Sequence, residues 1–479
     1  MEWINAVLGN ISDFMYTYIL IIMLVLVGLY FSFRTKFIQF RMFPEAIRVL
    51  SEKKKDGKDI SSFQALMIST ASRVGTGNIA GVATAVAAST AIGGYGAIFW
   101  MWLLALIGAA SAFIESTLAQ LYKQKRGTEF IGGPAYYIQK ALKSRKWGVV
   151  FSILLIACFA YGFNALQAFN AGSSLNYYIK DYNSSIWPWI VGGILALLTA
   201  LVIFGGVHRI SRLVSGIVPV MAVIYIGLGL FITIKNIGSV PEMFGNIFSQ
   251  AFNFEAIFGG FAGSCVMQGI KRGLYSNEAG MGSAPNAAAA ADVSHPVKQG
   301  LVQMLSVFID TILICSTTAF MLLLSGVPID ENVQGMDYVQ KAVLNQVGEF
   351  GPLFITISIF LFAFSSLVGN YYYTESNFKF IRDSKTGLLI FRISCVAAIF
   401  IGALMDFTTV WTMADILMGL MAMVNLVVIF LLGKKALIAL KDYCAQKKEG
   451  KNPVFREKDV HVGDPEVWDE KHAQKWESD

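Results

Sequence analysis

The fold is decided by residues 71–81, which read ASRVGTGNIAG and interrupt an otherwise apolar run over 63–91. A run of this length can cross a bilayer as a helix. Glycines on both sides of Thr76, near the middle of the run, predict an unwound turn at mid-membrane depth. Unwound backbone is tolerated there only where a ligand, water or protein groups satisfy its N–H and C=O groups. The stretch therefore predicts a membrane helix that is broken at a binding site.

The composition of the whole chain agrees with a membrane protein. Hydrophobic residues make up 55% of the 479 residues and charged residues only 15%, whereas soluble domains carry roughly 25% charged residues. So few charges could not cover this much apolar surface in water. Soluble enzymes, nucleic-acid binders and fibrous proteins are therefore excluded. The five cysteines are widely spaced without a CxxC pair, which indicates neither a disulfide framework nor a metal site.

Apolar runs predict an all-α polytopic protein with about eleven transmembrane helices. Lys and Arg number 24 in one set of alternating loops and three in the other. Because basic residues accumulate on the cytoplasmic side, we expect the N-terminus outside and the C-terminus in the cytoplasm. This asymmetry explains the net charge of +6 without nucleic acid and favours a cell (inner) membrane. The predicted spans are 14–33, 63–91, 95–121, 149–179, 187–205, 212–234, 254–270, 299–324, 352–378, 387–404 and 409–433.

The ten spans after the first divide into two similar halves. A second glycine-rich stretch, 259–264, lies five spans after the first one. Because five is odd, the halves have opposite orientation, and matched broken helices in inverted halves indicate a secondary transporter with a mid-membrane site. The alternative is that both glycine stretches only ease close helix packing. The predicted units are an N-terminal helix and basic loop (1–62), two five-helix repeats (63–235 and 254–433) and a cytoplasmic tail (434–479), solvated or in regulatory contact.

Polar residues within the spans suggest what the break binds. The first amides of the restarting helix, Gly77 to Ile79, suit a carboxylate, and the free carbonyls near Val74 suit a cation. Ser365 and Ser366 could complete a Na⁺ shell, or could simply bond their own backbone. One face of span four carries polar side chains that either line the site or join helices. They are Tyr161, Asn164, Gln167, Asn170 and Ser174.

Three ionisable residues are predicted deep within the spans. Arg73 lies in span two, Asp310 in span eight and Glu115 in span three. We expect Arg73 to pair with Asp310 or Glu115, because a lone charge in the membrane is costly. The pair could lock helices together or take part in coupling. Lys271 and Arg272 are expected in a cytoplasmic loop, where they would contribute to orientation.

Three motifs connect the chain with a known family: VGTGNIAG (74–81), FWMW (99–102) and SNEAGMGSAP (276–285). They resemble the alanine or glycine:cation symporter family over about 60–435. The resemblance implies one peripheral helix plus the five-plus-five inverted fold of the leucine-transporter type. Independently of it, the sequence has no Walker loop, HExxH or GxSxG motif, so we expect no cofactor and no enzymatic activity. It also implies Na⁺-coupled, or alternatively H⁺-coupled, uptake of small neutral amino acids such as alanine, glycine or glutamine.

The resemblance also implies roles for individual residues. Thr76, Gly77 and Asn78 would meet the substrate carboxylate. The Na⁺ site would consist of the Ala71 and Val74 carbonyls with Ser365 and Ser366. The amino group or side chain of the substrate would meet a further set, namely Gln167, Phe261, Gly263 and Ser264.

Asn370 stands where small-substrate members of this family tend to carry Trp. An Asn there would enlarge the pocket, and unpaired amides on Asn370, Gln167 and Asn170 would favour glutamine. Glu278 is expected in a loop at the cytoplasmic end of span seven, with a structural or gating role. Two rival classes are a channel, which would need a continuous polar pore, and a membrane enzyme, which would need a nucleophile beside a base.

Overall fold

The computed structural model describes residues 2–52, 60–88, 94–127, 129–205, 207–253, 264–328, 335–463 and 465–477. These residues are mostly helical, and they contain one two-stranded hairpin, β1 (Gln124–Arg126) with β2 (Glu129–Ile131). The first half holds α1 (Glu2–Met15), α2 (Ile21–Arg34), α3 (Ile38–Arg41), α4 (Phe43–Leu50), α5 (Ser62–Arg73), α6 (Ala80–Ala88), α7 (Gly96–Leu121), α8 (Pro134–Ala141), α9 (Arg145–Ile156), α10 (Asn164–Ser173), α11 (Trp187–Ile203), α12 (Val207–Lys235) and α13 (Val240–Ala251).

The second half continues in the same way. It holds α14 (Cys265–Asn277), α15 (Pro285–Ala290), α16 (Pro296–Val307), α17 (Ser316–Leu323), α18 (Met336–Val347), α19 (Phe350–Ile381), α20 (Lys385–Gly402), α21 (Phe407–Lys448), α22 (Glu457–Val460) and α23 (Glu470–Glu477). Wider π-helical turns join α1 to α2, α9 to α10 and α16 to α17, over Tyr16–Leu20, Ala157–Phe163 and Phe308–Cys315.

Within the described ranges, eight helices are long and apolar enough to cross a membrane. The predicted class, an all-α polytopic membrane protein, is therefore confirmed. The eight are Asn5–Arg34, Gly96–Leu121, Arg145–Tyr177, Arg212–Lys235, Pro296–Leu323, Phe350–Ile381, Lys385–Gly402 and Phe407–Lys448, and Thr76–Ala88 and Trp187–Ile203 are shorter apolar helices. Large apolar side chains lie exposed on the outer helices, for example Val223 at 69% and Ile234 at 68%, as expected where lipid is the solvent.

Contacts at the two ends of helix α7 define the two ends of the bundle. The Tyr95 amide, just before α7, donates to the Gln250 side chain, and near the other end of α7 the Gln120 carbonyl accepts from Trp468 of the C-terminal tail. We call these the opposite end and the tail end of the bundle. Helix α21 continues past residue 434 to Lys448, so the last segment, 449–477, starts at the tail end.

The helix of span seven continues beyond the predicted end of that span at residue 270. A Cβ on Gly269 would meet the Ala97 carbonyl at 2.4 Å, and one on Gly108 would meet Ala279 at 3.1 Å. Helix α14 therefore descends along α7 from the opposite end and reaches the middle of α7 near Ala279. The chain then unwinds and restarts as α15 toward the tail end. The described part of the crossing element thus runs over 265–290, and residues 254–263 of the predicted span lie outside the described residues.

The second break follows from the same geometry. Glu278, Gly280 and Gly282 have φ of +55°, +83° and +85°, a left-handed conformation that ends a helix and favours glycine. The unwound stretch beside the first break is therefore 278–284. Most of the predicted stretch 259–264, including Phe261 and Gly263, lies outside the described residues. Ser264 caps α14, with its hydroxyl accepting from the Met267 amide at 3.3 Å.

Lys271 and Arg272 are likewise corrected. Both lie within α14 and are buried, not in a loop. Lys271 Nζ lies 3.0 Å from Asp13 Oδ1, and Arg272 makes two hydrogen bonds to Asp415, at 3.0 and 2.8 Å. Hydropathy alone missed this helix because it is polar and surrounded by other helices rather than by lipid.

Candidate transport site

The first break lies where the sequence predicts it. Helix α5 begins with a capping box between Ser61 and Gln64 and ends at Arg73. Gly75 is extended, at φ −134° and ψ −152°, and a single 3₁₀ turn over Thr76–Asn78 leads into α6. Every residue of this turn is buried. The break is therefore a defined, enclosed turn within the bundle.

Glycine is required at two positions of this turn. A Cβ on Gly75 would lie 2.4 Å from Ser366 Oγ, and one on Gly77 would lie 2.6 Å from the Tyr275 ring. Atoms do not approach this closely without displacement, so only a bare backbone fits. The two glycines thus let α14 and α19 pack directly against the break.

The amides of the turn are partly engaged by the protein itself. The Thr76 amide donates to Gln167 Oε1 at 3.0 Å, and the Gly75 amide donates to Asn78 Oδ1 at 2.9 Å. The Asn78 and Ile79 amides bond the Gly75 and Thr76 carbonyls, both at 3.3 Å. The Gly77 amide takes part in none of these bonds, which makes it the amide best suited to an incoming carboxylate.

Tyr275 is a site residue that the sequence reasoning missed. Its hydroxyl lies 3.2 Å from Gln167 Nε2 and 3.4 Å from Thr76 Oγ1. Its ring packs edge-on against Phe163 and Trp411, with centroids 4.8 and 5.4 Å away. The available signal was its position directly before the SNEAGMGSAP motif. Tyr275 thus links the second broken helix to the turn of the first one.

Three of the four predicted Na⁺ ligands come together. Ser366 Oγ lies 2.9 Å from the Ala71 carbonyl and 3.4 Å from the Val74 carbonyl. Carbonyl and hydroxyl oxygens are the hard donors that a small cation prefers. Ser365 differs, because its hydroxyl donates to the Phe362 carbonyl of its own helix at 2.9 Å. The backbone-bonded alternative therefore describes Ser365, and the shared set is Ala71, Val74 and Ser366.

The expectation of unpaired amides is wrong. Asn370 is fully buried, accepts from the Ser72 hydroxyl at 2.6 Å and donates to Asn164 Oδ1 at 3.0 Å. Asn170 donates to the hydroxyl of the threonine in the turn at 3.1 Å, and Gln167 is bonded as described above. These amides connect helices α5, α10 and α19, so a ligand would have to exchange partners with them.

The prediction for the partner of Arg73 is also wrong. Arg73 is 2% exposed, and its Nε lies 4.0 Å from Glu278 Oε2, while Nη1 donates to Ser306. Glu278 also accepts from Ser72 at 3.1 Å and Ser283 at 2.5 Å. It is fully buried mid-bundle, not in a loop at the end of a span. The nearest acid therefore comes from the second break, because that break, and not a neighbouring intact helix, packs against the end of α5.

Glu115 instead holds the second break in shape. Its carboxylate accepts from the Gly280 and Gly282 amides, at 3.3 and 3.1 Å, and from Asn425 Nδ2 at 2.8 Å. Unwound amides in the interior need such acceptors. Glu115 therefore supplies the partners that the left-handed residues of the stretch lack.

Asp310 binds the first break instead of Arg73. It lies on the π-helical turn Phe308–Cys315 and accepts from Asn78 Nδ2 at 2.7 Å, Ser276 Oγ at 2.6 Å and Thr311 Oγ1 at 3.0 Å. Asn78 and Ser276 belong to the two broken helices. Asp310 thus joins both of them through hydrogen bonds.

The two ends of the bundle differ in how they enclose the site. At the opposite end lies a cavity of about 350 Å³, whose lining includes Asn170, Met336, Asp406 and Phe407. Asn170 contacts the turn directly. Toward the tail end, every residue from 270 to 307 is buried. The described conformation is therefore closed at the tail end and has a vestibule at the other.

Two helices broken at one depth, with amides, hydroxyls and carbonyls between them, define a membrane transporter of the secondary type. A profile of the sodium:alanine symporter family matches residues 1–457. The chain belongs to that family, so the predicted family and the prediction of a Na⁺-coupled amino-acid symporter rather than an enzyme are confirmed.

Three relatives align over nearly their whole length. The amino-acid carrier protein AlsT of Bacillus subtilis is 48% identical over 100% of this chain and 99% of its own. A probable sodium/glutamine symporter of the same organism, GlnT, is 45% identical over 94% and 93%. The sodium/alanine symporter AgcS of Methanococcus maripaludis is 38% identical over 94% and 100%.

Proposed function

We propose that the turn Val74–Asn78 holds a small neutral amino acid and one Na⁺ together. The Gly77 amide, with Thr76 and Asn78, receives the carboxylate, and the carbonyls of Ala71 and Val74 with Ser366 bind the cation. The observation that carries this assignment is the convergence of Gln167, Tyr275 and Ser366 on one enclosed turn. The N-terminal end of the restarting helix favours an anion there.

The proposed architecture is one peripheral helix followed by two inverted five-helix units, eleven crossings in all, over 63–235 and 254–433. The second break in this scheme is 278–284, and its packing against the end of α5 supports the pairing of the two units. We place the N-terminus outside and the C-terminus in the cytoplasm of a cell (inner) membrane. Moving Lys271 and Arg272 out of the basic loops leaves the charge asymmetry in place.

We propose alanine and glycine as substrates, with glutamine as the substrate to be tested against them. Gln167, Asn170 and Asn370 are already hydrogen-bonded to protein groups. This favours a ligand whose side chain needs no hydrogen-bond partner. Glutamine fits only if its amide replaces bonds that these side chains now make to one another. A relative named for glutamine, at 45% identity, keeps that possibility open for experiment.

The test is uptake of labelled alanine into proteoliposomes under an imposed Na⁺ gradient, an H⁺ gradient, or neither. We expect uptake only with the inward Na⁺ gradient, and competition by unlabelled alanine and glycine. Uptake that follows the pH gradient without Na⁺ would overturn the coupling ion. Stronger competition by glutamine than by alanine would overturn the proposed substrate preference while leaving the site assignment intact.

A further inference from the structure

The C-terminal tail is docked, although its composition suggests a solvated segment. Trp468 is 2% exposed, its Nε1 donates to the Gln120 carbonyl at 2.8 Å, and the ammonium of Lys123 lies 4.9 Å from its ring centroid. Its ring also packs against Phe455, with centroids 5.3 Å apart. A buried Trp with its N–H satisfied indicates a specific contact, because such burial is unfavourable for a freely moving tail.

A second set of contacts fixes the tail to Asp292 and Ser294, just after α15. Asp292 accepts from Lys475 Nζ at 2.5 Å and from His472 Nε2 at 3.1 Å. Ser294 donates to the Pro453 carbonyl at 2.7 Å, and its own carbonyl accepts a backbone bond from the tail at 2.9 Å. Burial by itself would raise the pKa of Asp292, but these partners hold it well below its usual range.

The segment that the tail contacts belongs to the closed tail end of the bundle. We call the packed start of α5, end of α15 and end of α7 the barrier. The Asp292 amide donates to the Ile60 carbonyl at 3.0 Å, so the start of α5 and the end of α15 are joined there. Gln120 Nε2 and Lys123 Nζ both donate to the Ala291 carbonyl, at 2.9 Å. The same two residues, Gln120 in the last turn of α7 and Lys123 just after it, also contact Trp468. The tail therefore joins the end of α15 to the end of α7, and the residue after α15 in turn holds the start of α5.

We propose that the tail, 449–477, is a latch that stabilises the conformation closed at the tail end. A site that opens alternately to the two ends must move the end of α15 away from α7 and from the start of α5, and the tail bridges the ends of α15 and α7 only while they are together. A contact made in one of two states shifts their equilibrium toward that state. Undocking of the tail therefore precedes or accompanies opening. The latch rests on the proposed transport function only in assuming such an opening.

The test uses a thiol placed behind the barrier in the full-length protein. Ser62 is buried and accepts from Gln299 at 3.0 Å, so Ser62→Cys is nearly isosteric. Cys444 is the described cysteine that is not buried and is removed as Cys444→Ser. In proteoliposomes without substrate, Trp468→Ala should raise the rate at which the introduced thiol is modified at least about fivefold, because the lost hydrogen bond alone corresponds to that factor and the lost ring packing adds to it.

Matched variants separate a latch from general loosening. Lys458→Ala breaks an exposed ion pair within the tail, to Glu470 at 3.0 Å, and should leave the modification rate unchanged. Lys475→Asp should raise the rate, whereas Lys475→Arg, which keeps a cation beside Asp292, should leave it near the wild-type value. If Trp468→Ala does not fold, the Lys475 pair tests the idea by itself.

Two outcomes would overturn the latch. One is a wild-type modification rate in Trp468→Ala while hydrogen exchange shows the tail undocked, since the tail would then dock without holding the barrier. The other is a wild-type modification rate in Lys475→Asp, since the ion pair with Asp292 would then hold nothing at the barrier. Neither measurement needs a transported substrate, so both remain interpretable if the proposed substrate or coupling ion is wrong.

Discussion

Replacing Ser366 by Ala should weaken Na⁺ coupling, whereas replacing its neighbour Ser365 should not. The two serines are adjacent and equally buried, but only Ser366 points at the Ala71 and Val74 carbonyls. The Ser365 hydroxyl is bonded to Phe362 within its own helix. The two substitutions therefore remove the same hydroxyl group at the same depth, and they differ only in what that hydroxyl contacts.

The expected magnitude follows from the oxygen that is lost. A hydrogen-bonding group that faces a charge contributes about 1.5–3 kcal/mol, and 1.4 kcal/mol is a factor of ten in affinity. Because water can replace part of the interaction, the lower bound applies. We expect Ser366→Ala to raise the half-saturating Na⁺ concentration about tenfold, and Ser365→Ala to change it less than about twofold.

The assay is initial alanine uptake into proteoliposomes as a function of external Na⁺, at saturating alanine. Thermal unfolding of each purified variant serves as the control, and both should stay near wild type because each loses a single hydroxyl. An equal or larger effect of Ser365→Ala would refute the reasoning, since it would mean that the ion sits on the other face of α19.

Gly77→Ala should abolish uptake, because its Cβ would lie 2.6 Å from the Tyr275 ring; Gly193→Ala, with nothing within 4 Å, should keep wild-type uptake. Glu115→Ala should lower the free energy of unfolding by about 1–3 kcal/mol, since it leaves unwound amides without an acceptor, and an unchanged melting temperature would contradict this. Burial lowers the pKa of His472 in the docked tail, although Asp292 opposes the shift. The docked tail therefore disfavours the protonated imidazole, and docking should weaken as the pH falls below about 6.5, the value for a free His. The modification rate of the wild type divided by that of His472→Gln should therefore rise as the pH falls below about 6.5. A ratio that does not change with pH would contradict a role of His472 in docking.

The first break could be predicted from sequence because its cause is local. Two glycines flanking Thr76 in an apolar run specify a turn whatever surrounds it. Gln167 and Asn170 were also identifiable, since polar residues three apart on an apolar helix share a face. Both features depend on spacing along one segment.

The second break could not be located in the same way. Helix α14 is enclosed by other helices and carries Lys271 and Arg272, so hydropathy ends the span at residue 270 and assigns the rest of the helix to a loop. Glycine content does not distinguish a residue with positive φ, such as Gly280, from one that only permits packing, such as Gly269. The partner of Arg73 depends in turn on this break, because Glu278 reaches it only through the packing of 278–284 against α5.

The docked tail has a consequence for how it could be controlled. Only residues 449–451 separate the end of α21 from Asn452, whose side chain accepts from Lys298 Nζ at 2.9 Å, and Gln446 bonds Val454 through both atoms of its amide, at 2.9 and 3.0 Å. So short a tether holds the tail at an effective concentration on the order of millimolar. A cut within 449–451 would turn an intramolecular contact into a bimolecular one, and a free peptide at micromolar concentration could not replace the severed tail. Proteolysis at this tether would thus undock the tail irreversibly, whereas a change in charge or protonation would undock it reversibly.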